Sequence, residues 1–196
     1  FLVNGDAMQL PPLANFAGQA RLNLGTPYMS ITLIILAMFG AAMLMAAYKD
    51  LTSYTIPNWI SLYLIGAFCV VVPFVGYGWT DIGWHLVCGF GSLIVMMGMF
   101  AMRWLGGGDA KLFAATALWC QPADLLVYGV NVAIWGGLLT LLIVFTRHSL
   151  PQRVRTTGWV HRLLRDEKKI PYGIALAIAG MAALPNFMIF QAAAVG

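Results

Sequence analysis

Residues 103–121 read R-W-L-G-G-G-D-A-K-L-F-A-A-T-A-L-W-C-Q, and whether this stretch enters a membrane decides the fold. The 196-residue chain around it is 61% hydrophobic and only 9% charged, where a soluble domain has about 25% charged residues. Too few polar side chains remain to cover a surface facing water. A cytosolic domain, a disordered chain and a disulfide-stapled secreted module are thereby excluded. Five further stretches are uncharged, apolar and close to the ~20 residues that cross a bilayer. They are Tyr28–Tyr48, Ile56–Val75, Trp84–Met102, Leu125–Thr146 and Ile170–Phe190. Counting Leu105–Cys120 gives an all-α, polytopic bundle of about six transmembrane helices.

Charge supports the count. With six spans, loops 48–56, 103–111 and 147–169 share one side, and they hold ten of the eleven basic residues. The other side keeps Arg21 with Asp6, Asp81 and Asp124. The positive-inside rule makes the basic side cytoplasmic and both termini external. Removing the span at 105–120 would split the basic residues between the two sides. Tyr77, Trp79 and Trp84 fall at an external boundary, where an aromatic belt belongs.

Residues 1–28 carry Pro11, Pro12 and Pro27 and no helical period. They are expected to be an external tail or a non-native extension, with Met29 near the natural start and residues 29–196 as the membrane domain. Loop 147–169 places Val154, Trp159, Val160, Leu163 and Leu164 on one stripe of a short helix, suited to an anionic leaflet or to a solvated topology-setting loop. Orientation accounts for the basic charge, so no nucleic-acid partner is expected. Cys69, Cys88 and Cys120 form no CxxC pair and read as buried free thiols. His85 reads as an interfacial residue at the external edge. Neither the cysteines nor the histidines show metal-ligand spacing, so no metal or cofactor is expected.

Ionisable groups at membrane depth point to function. Asp50 ends the first span in Y-K-D-L-T-S-Y-T-I-P-N, and Asp109 closes the run Gly106-Gly107-Gly108. Both fall at the cytoplasmic edge. Two carboxyl groups brought together can share a proton, one activating water while the other polarises a peptide carbonyl. Helix dipoles would favour charge on Asp109, at a helix start, over Asp50, at a helix end. Glycines without side chains leave room for an incoming peptide backbone beside Asp109. Pro57 and Asn58 open the second span, and Pro171, Tyr172 and Gly173 open the last one in the same manner. Lys111 stands near Asp109. Gly89, Gly91 and Gly98, with Ala175, Ala179 and Ala182, are candidate close-packing positions.

The order D-L-T-S-Y-T-I-P-N (50–58), G-G-G-D-A-K-L (106–112) and I-P-Y-G-I-A-L-A (170–177) resembles the prepilin peptidase (type IV leader peptidase) family, in its short Tad/Flp-pilus form. The resemblance implies a GxGD-type aspartic endopeptidase with catalytic Asp50 and Asp109. It implies cleavage of a prepilin leader, typically after a glycine, at the cytoplasmic face of a bacterial inner membrane. The expected substrate has a basic leader followed by an apolar helix; the other partners are membrane lipids. Where many members carry a basic residue soon after the first aspartate, this chain has Ser53 and Tyr54. The extra cytosolic region with paired CxxC motifs, found in members that also N-methylate, has no room in loop 48–56, so methylation is unsupported. Three alternatives stay open: a presenilin-like or signal-peptide-peptidase-like protease, an archaeal preflagellin peptidase, and a transporter or scaffold whose acids bind protons or cations.

Overall fold

The computed structural model describes residues 27–149 and 171–195. Its helices are α1 (Pro27–Ser53), α2 (Asn58–Val75), α3 (Trp79–Ala101), α4 (Gly107–Ala117), α5 (Pro122–Ser149), α6 (Tyr172–Ala183) and α7 (Met188–Val195). A 3-10 turn, Leu184–Asn186, joins the last two. Most of the tail 1–28 and of loop 147–169 lies outside the described residues.

The architecture is the helical membrane bundle expected from composition. Four stretches are long and apolar enough to cross a membrane: Thr32–Ser53, Asn58–Val75, Trp79–Ala101 and Pro122–Thr146. Large apolar side chains such as Leu44, Leu62, Phe74, Ile94 and Phe145 point outward, as they would toward lipid.

The other two expected spans differ. Within Leu105–Cys120 the helix α4 has 11 residues and is about 16 Å long at 1.5 Å per residue, roughly half of a ~30 Å hydrocarbon core. Glycines precede it. After Ala117 the chain tightens, with Trp119 and Cys120 donating to the Thr116 and Ala117 carbonyls at 2.9 and 3.1 Å. Ala110, Leu112 and Ala114–Ala117 are buried, so α4 is enclosed by protein and need not satisfy its ends in lipid. Ile170–Phe190 is likewise broken. Its helix α6 stops at Ala183, and Pro185 sits in the turn before α7.

The core forms where α1, α4, α6 and α7 meet. Phe39 lies edge-on to Trp119 and Phe187, with ring centroids 5.5 and 6.1 Å apart. Trp119 Nε1 donates to the Leu64 carbonyl at 3.2 Å, tying α2 to the end of α4. Gly89 brings α3 onto Leu118, whose backbone lies 3.3 Å from where a Cβ would stand. Ala175 and Ala179 are buried, while Ala182 is exposed and Gly91 and Gly98 face open space.

Two expectations are corrected here. His85, near the start of α3, is enclosed by protein rather than open to the surface. The face of α3 that carries it turns toward α4, placing Nδ1 3.0 Å from the Leu118 carbonyl and the imidazole against Tyr77 and Phe68. Of the three thiols, Cys88 and Cys120 are buried, but Cys69 is exposed on α2.

Candidate active site

Asp50 lies in the last turn of α1, inside the helix rather than in the loop after it. The helix outruns its apolar stretch because the Thr52 and Ser53 hydroxyls donate back to the Tyr48 and Lys49 carbonyls at 2.8 and 2.7 Å. It ends at Tyr54, which takes φ +52°, a left-handed conformation uncommon for a residue with a side chain. Asp50 is only 5% exposed. Its Oδ2 accepts the Gly173 N–H at 2.6 Å, across 123 residues of sequence.

That contact revises the dipole argument. Asp50 ends its own helix, but its carboxyl meets the N-terminus of α6, where backbone N–H groups favour negative charge. Asp109 also stands at a helix start, in the first turn of α4. The dipoles therefore do not separate the two acids.

Asp109 is half-buried. Its Oδ2 folds back over Gly106, 2.9 Å from where a Cβ would stand there. It opens onto a cavity of about 350 Å³ whose walls include Met96, Met99, Phe113, Gly136 and Tyr172. Gly108, the neighbour of Asp109, packs on Ile56, and Ile56 packs on Gly173, whose N–H bonds Asp50, so these contacts join the segments bearing the two acids, 59 residues apart in sequence.

Ile56 joins the pieces. Buried between α1 and α2, it fills the space left by two glycines. A Cβ on Gly108 would stand 3.1 Å from Ile56 Cβ and 3.2 Å from its backbone nitrogen. A Cβ on Gly173 would stand 2.8 Å from both Ile56 Cδ1 and Asp50 Oδ2. Gly107 faces the Phe100 ring, 3.2 Å from its Cβ position. Thus all four glycines admit the chain's own residues, and Gly106, the exposed one, is covered by the Asp109 carboxyl itself.

The remaining motif residues divide between two sides. Pro171 is buried at the start of α6, and Tyr172 leans on Gly136 with its hydroxyl 3.4 Å from Thr140 Oγ1. Both belong to the neighbourhood of the acids. Pro57 begins α2, and Asn58 Oδ1 accepts from Lys111 Nζ at 3.0 Å. Lys111 is two residues beyond Asp109, about 200° around the helix, so it points away from the cavity. Asn58 and Lys111 stand instead at the mouth of a second groove.

Sequence reasoning missed Ile56 and Gly136. Ile56 reads as the first apolar residue of a span, and nothing in its neighbours announces contacts from 108 and 173. Gly136-Gly137, a small pair within a bulky apolar run, was a legible sign of close approach. Among the described residues no group of three or more His, Cys, Asp or Glu side chains could hold a metal ion.

Residues 37–145 match a family model described as the type IV leader peptidase family. No curated protein and no solved structure matches the chain significantly.

Proposed function

The chain belongs to the type IV leader peptidase family, and on that premise we propose that it is an aspartic endopeptidase removing the leader of Tad/Flp-type prepilins, typically after a glycine. What supports the reading is the chain of contacts from Asp50 through Gly173 and Ile56 to Gly108, which joins the segments bearing the two acids.

In the proposed reaction one carboxyl group is ionised and the other protonated, since like charges at close range resist joint ionisation. The ionised group takes a proton from water as the oxygen attacks the scissile carbonyl. The protonated group donates to that carbonyl oxygen. When the tetrahedral intermediate collapses, the C–N bond breaks and the leaving amine takes a proton back from the pair. The exposed backbone at Gly106 keeps the Asp109 carboxyl close to an incoming peptide, and the cavity beside Asp109 receives apolar side chains.

The reading extends to topology. The end bearing both acids also bears Lys49, Arg103 and Lys111, which supports a cytoplasmic site in a bacterial inner membrane with external termini. Residues 29–196 would form the peptidase unit. A basic leader would stay in the cytoplasm while the apolar helix after it rests in lipid against the bundle.

Co-expression with a candidate prepilin tests the proposal. Gel mobility and N-terminal sequencing should show processed pilin with the wild type and none with Asp50→Asn or Asp109→Asn. Normal processing by either variant would remove that acid from the mechanism.

A further inference from the structure

The second groove lies on the opposite side of α4 from Asp109. Helices α2 and α3 follow each other in sequence but diverge, each leaning on α4. Because α4 is short and rich in alanine, it does not fill the gap. A groove of about 700 Å³ remains, running from Asn58, Ser61 and Lys111 to Pro73 and Ile82. From residue 58 to residue 73 that is about 22 Å at helical rise.

Nearly all of this lining is apolar, and its polar atoms gather at one end. Lys111 Nζ donates to the neutral Asn58 amide oxygen, and among the described residues no carboxylate pairs with its charge. One turn further along α2, Ser61 lines the same groove. It is 7% exposed, and its Oγ is buried without a hydrogen-bond partner. A buried hydroxyl left unpaired costs about 1–3 kcal/mol, so a ligand atom that bonds it is favoured. A cation at the mouth, a hydroxyl one turn deeper and an apolar channel beyond match an anionic head group, an ester and an acyl chain in that order. A peptide helix bearing a basic leader would bring positive charge to Lys111.

We propose that this groove binds one anionic phospholipid, with the phosphate on Lys111 and Asn58, an ester oxygen accepting from Ser61, and an acyl chain lying toward Pro73. The site is separate from the acid pair and does not depend on proteolysis. It would anchor the α2–α4 contact beside Asp109 to the leaflet at the acid-bearing end.

Native mass spectrometry of the full chain in detergent tests this, with phosphatidylglycerol and phosphatidylcholine of identical chains. Both lipids offer a phosphate, but the choline ammonium would bring a positive charge beside Lys111, so the wild type should bind one phosphatidylglycerol at about tenfold lower concentration than phosphatidylcholine. Lys111→Gln should abolish that preference and Lys111→Arg should restore it. Cys69→Trp, which fills the channel, should weaken both lipids. Equal binding of the two lipids by the wild type, or a preference that survives Lys111→Gln, would overturn the proposal. So would a photocrosslinker on exposed Cys69 that captures co-expressed prepilin in place of lipid, which would assign the groove to the substrate helix.

Discussion

Asp50 and Asp124 sit at opposite ends of the bundle and look alike one at a time. They are 5% and 4% exposed, and each accepts backbone N–H groups from a distant segment. Asp50 takes Gly173 at 2.6 Å. Asp124 takes Gln121 and Met188, both at 3.0 Å, and so ties the start of α5 to the start of α7. The difference lies in the surroundings. Asp50 is linked through Gly173, Ile56 and Gly108 to the segment bearing Asp109, which lines a cavity, whereas Asp124 and Asp81 at the other end each cap a helix start, Asp81 by accepting the Gly78 N–H at 3.1 Å. A buried acid whose oxygen is taken up by backbone donors is sufficiently explained as a cap. For Asp50 the proposed function adds a second acid, Asp109, that opens onto a cavity.

Breaking that contrast should be easiest at the acid pair. Asp50→Asn and Asp109→Asn keep the shape of the side chain and remove the acid, so leader cleavage should fall by at least about 100-fold. Circular dichroism and gel filtration should show an unchanged bundle. If Asp124→Asn lost cleavage equally while remaining folded, the two ends would not differ as argued.

A smaller loss is expected from crowding the junction. Gly173→Ala would place a methyl 2.8 Å from Asp50 Oδ2 and Ile56 Cδ1. Overpacking of this kind costs about 1–3 kcal/mol, and cleavage should fall roughly tenfold or more. Adding Ile56→Val shortens the side chain that is struck and should recover part of the activity. Full activity in Gly173→Ala alone would show that the junction is not tight.

Asp124→Ala should act on stability alone. It strands two backbone N–H groups, at about 1–3 kcal/mol, and should lower the thermal midpoint in detergent. Cleavage per folded molecule should stay near the wild-type value. The smallest effect belongs to Gly66→Ala, whose Cβ would meet nothing within 4 Å. Inside α2 the change should raise stability by about 0.5–1 kcal/mol through helix propensity, and cleavage should be unaffected.

Several features could be read in one dimension because they depend on composition or local order. Apolar runs mark the four long helices. The clustering of basic residues is what suggested a cytoplasmic side. Asp50 and Asp109 stand out because acids are costly at membrane depth, and three ordered motifs around them resemble a known family. Each property is carried by neighbours in the chain.

The remainder depends on contacts over long separations. That α4 is a buried half-length helix follows from the walls around it, since its sequence is apolar enough to pass for a span. The direction of Lys111 follows from the angle at which α4 enters the bundle, which separates it from Asp109 despite their two-residue spacing. His85 is buried because α3 turns that face toward Leu118. Glycines that suggested space for a substrate prove, at 108 and 173, to be filled by Ile56 and Asp50. A residue's type sets what it can bond to and how much room it needs. Packing alone decides which distant atom occupies that room, because burial and hydrogen bonding depend on everything that folds against it.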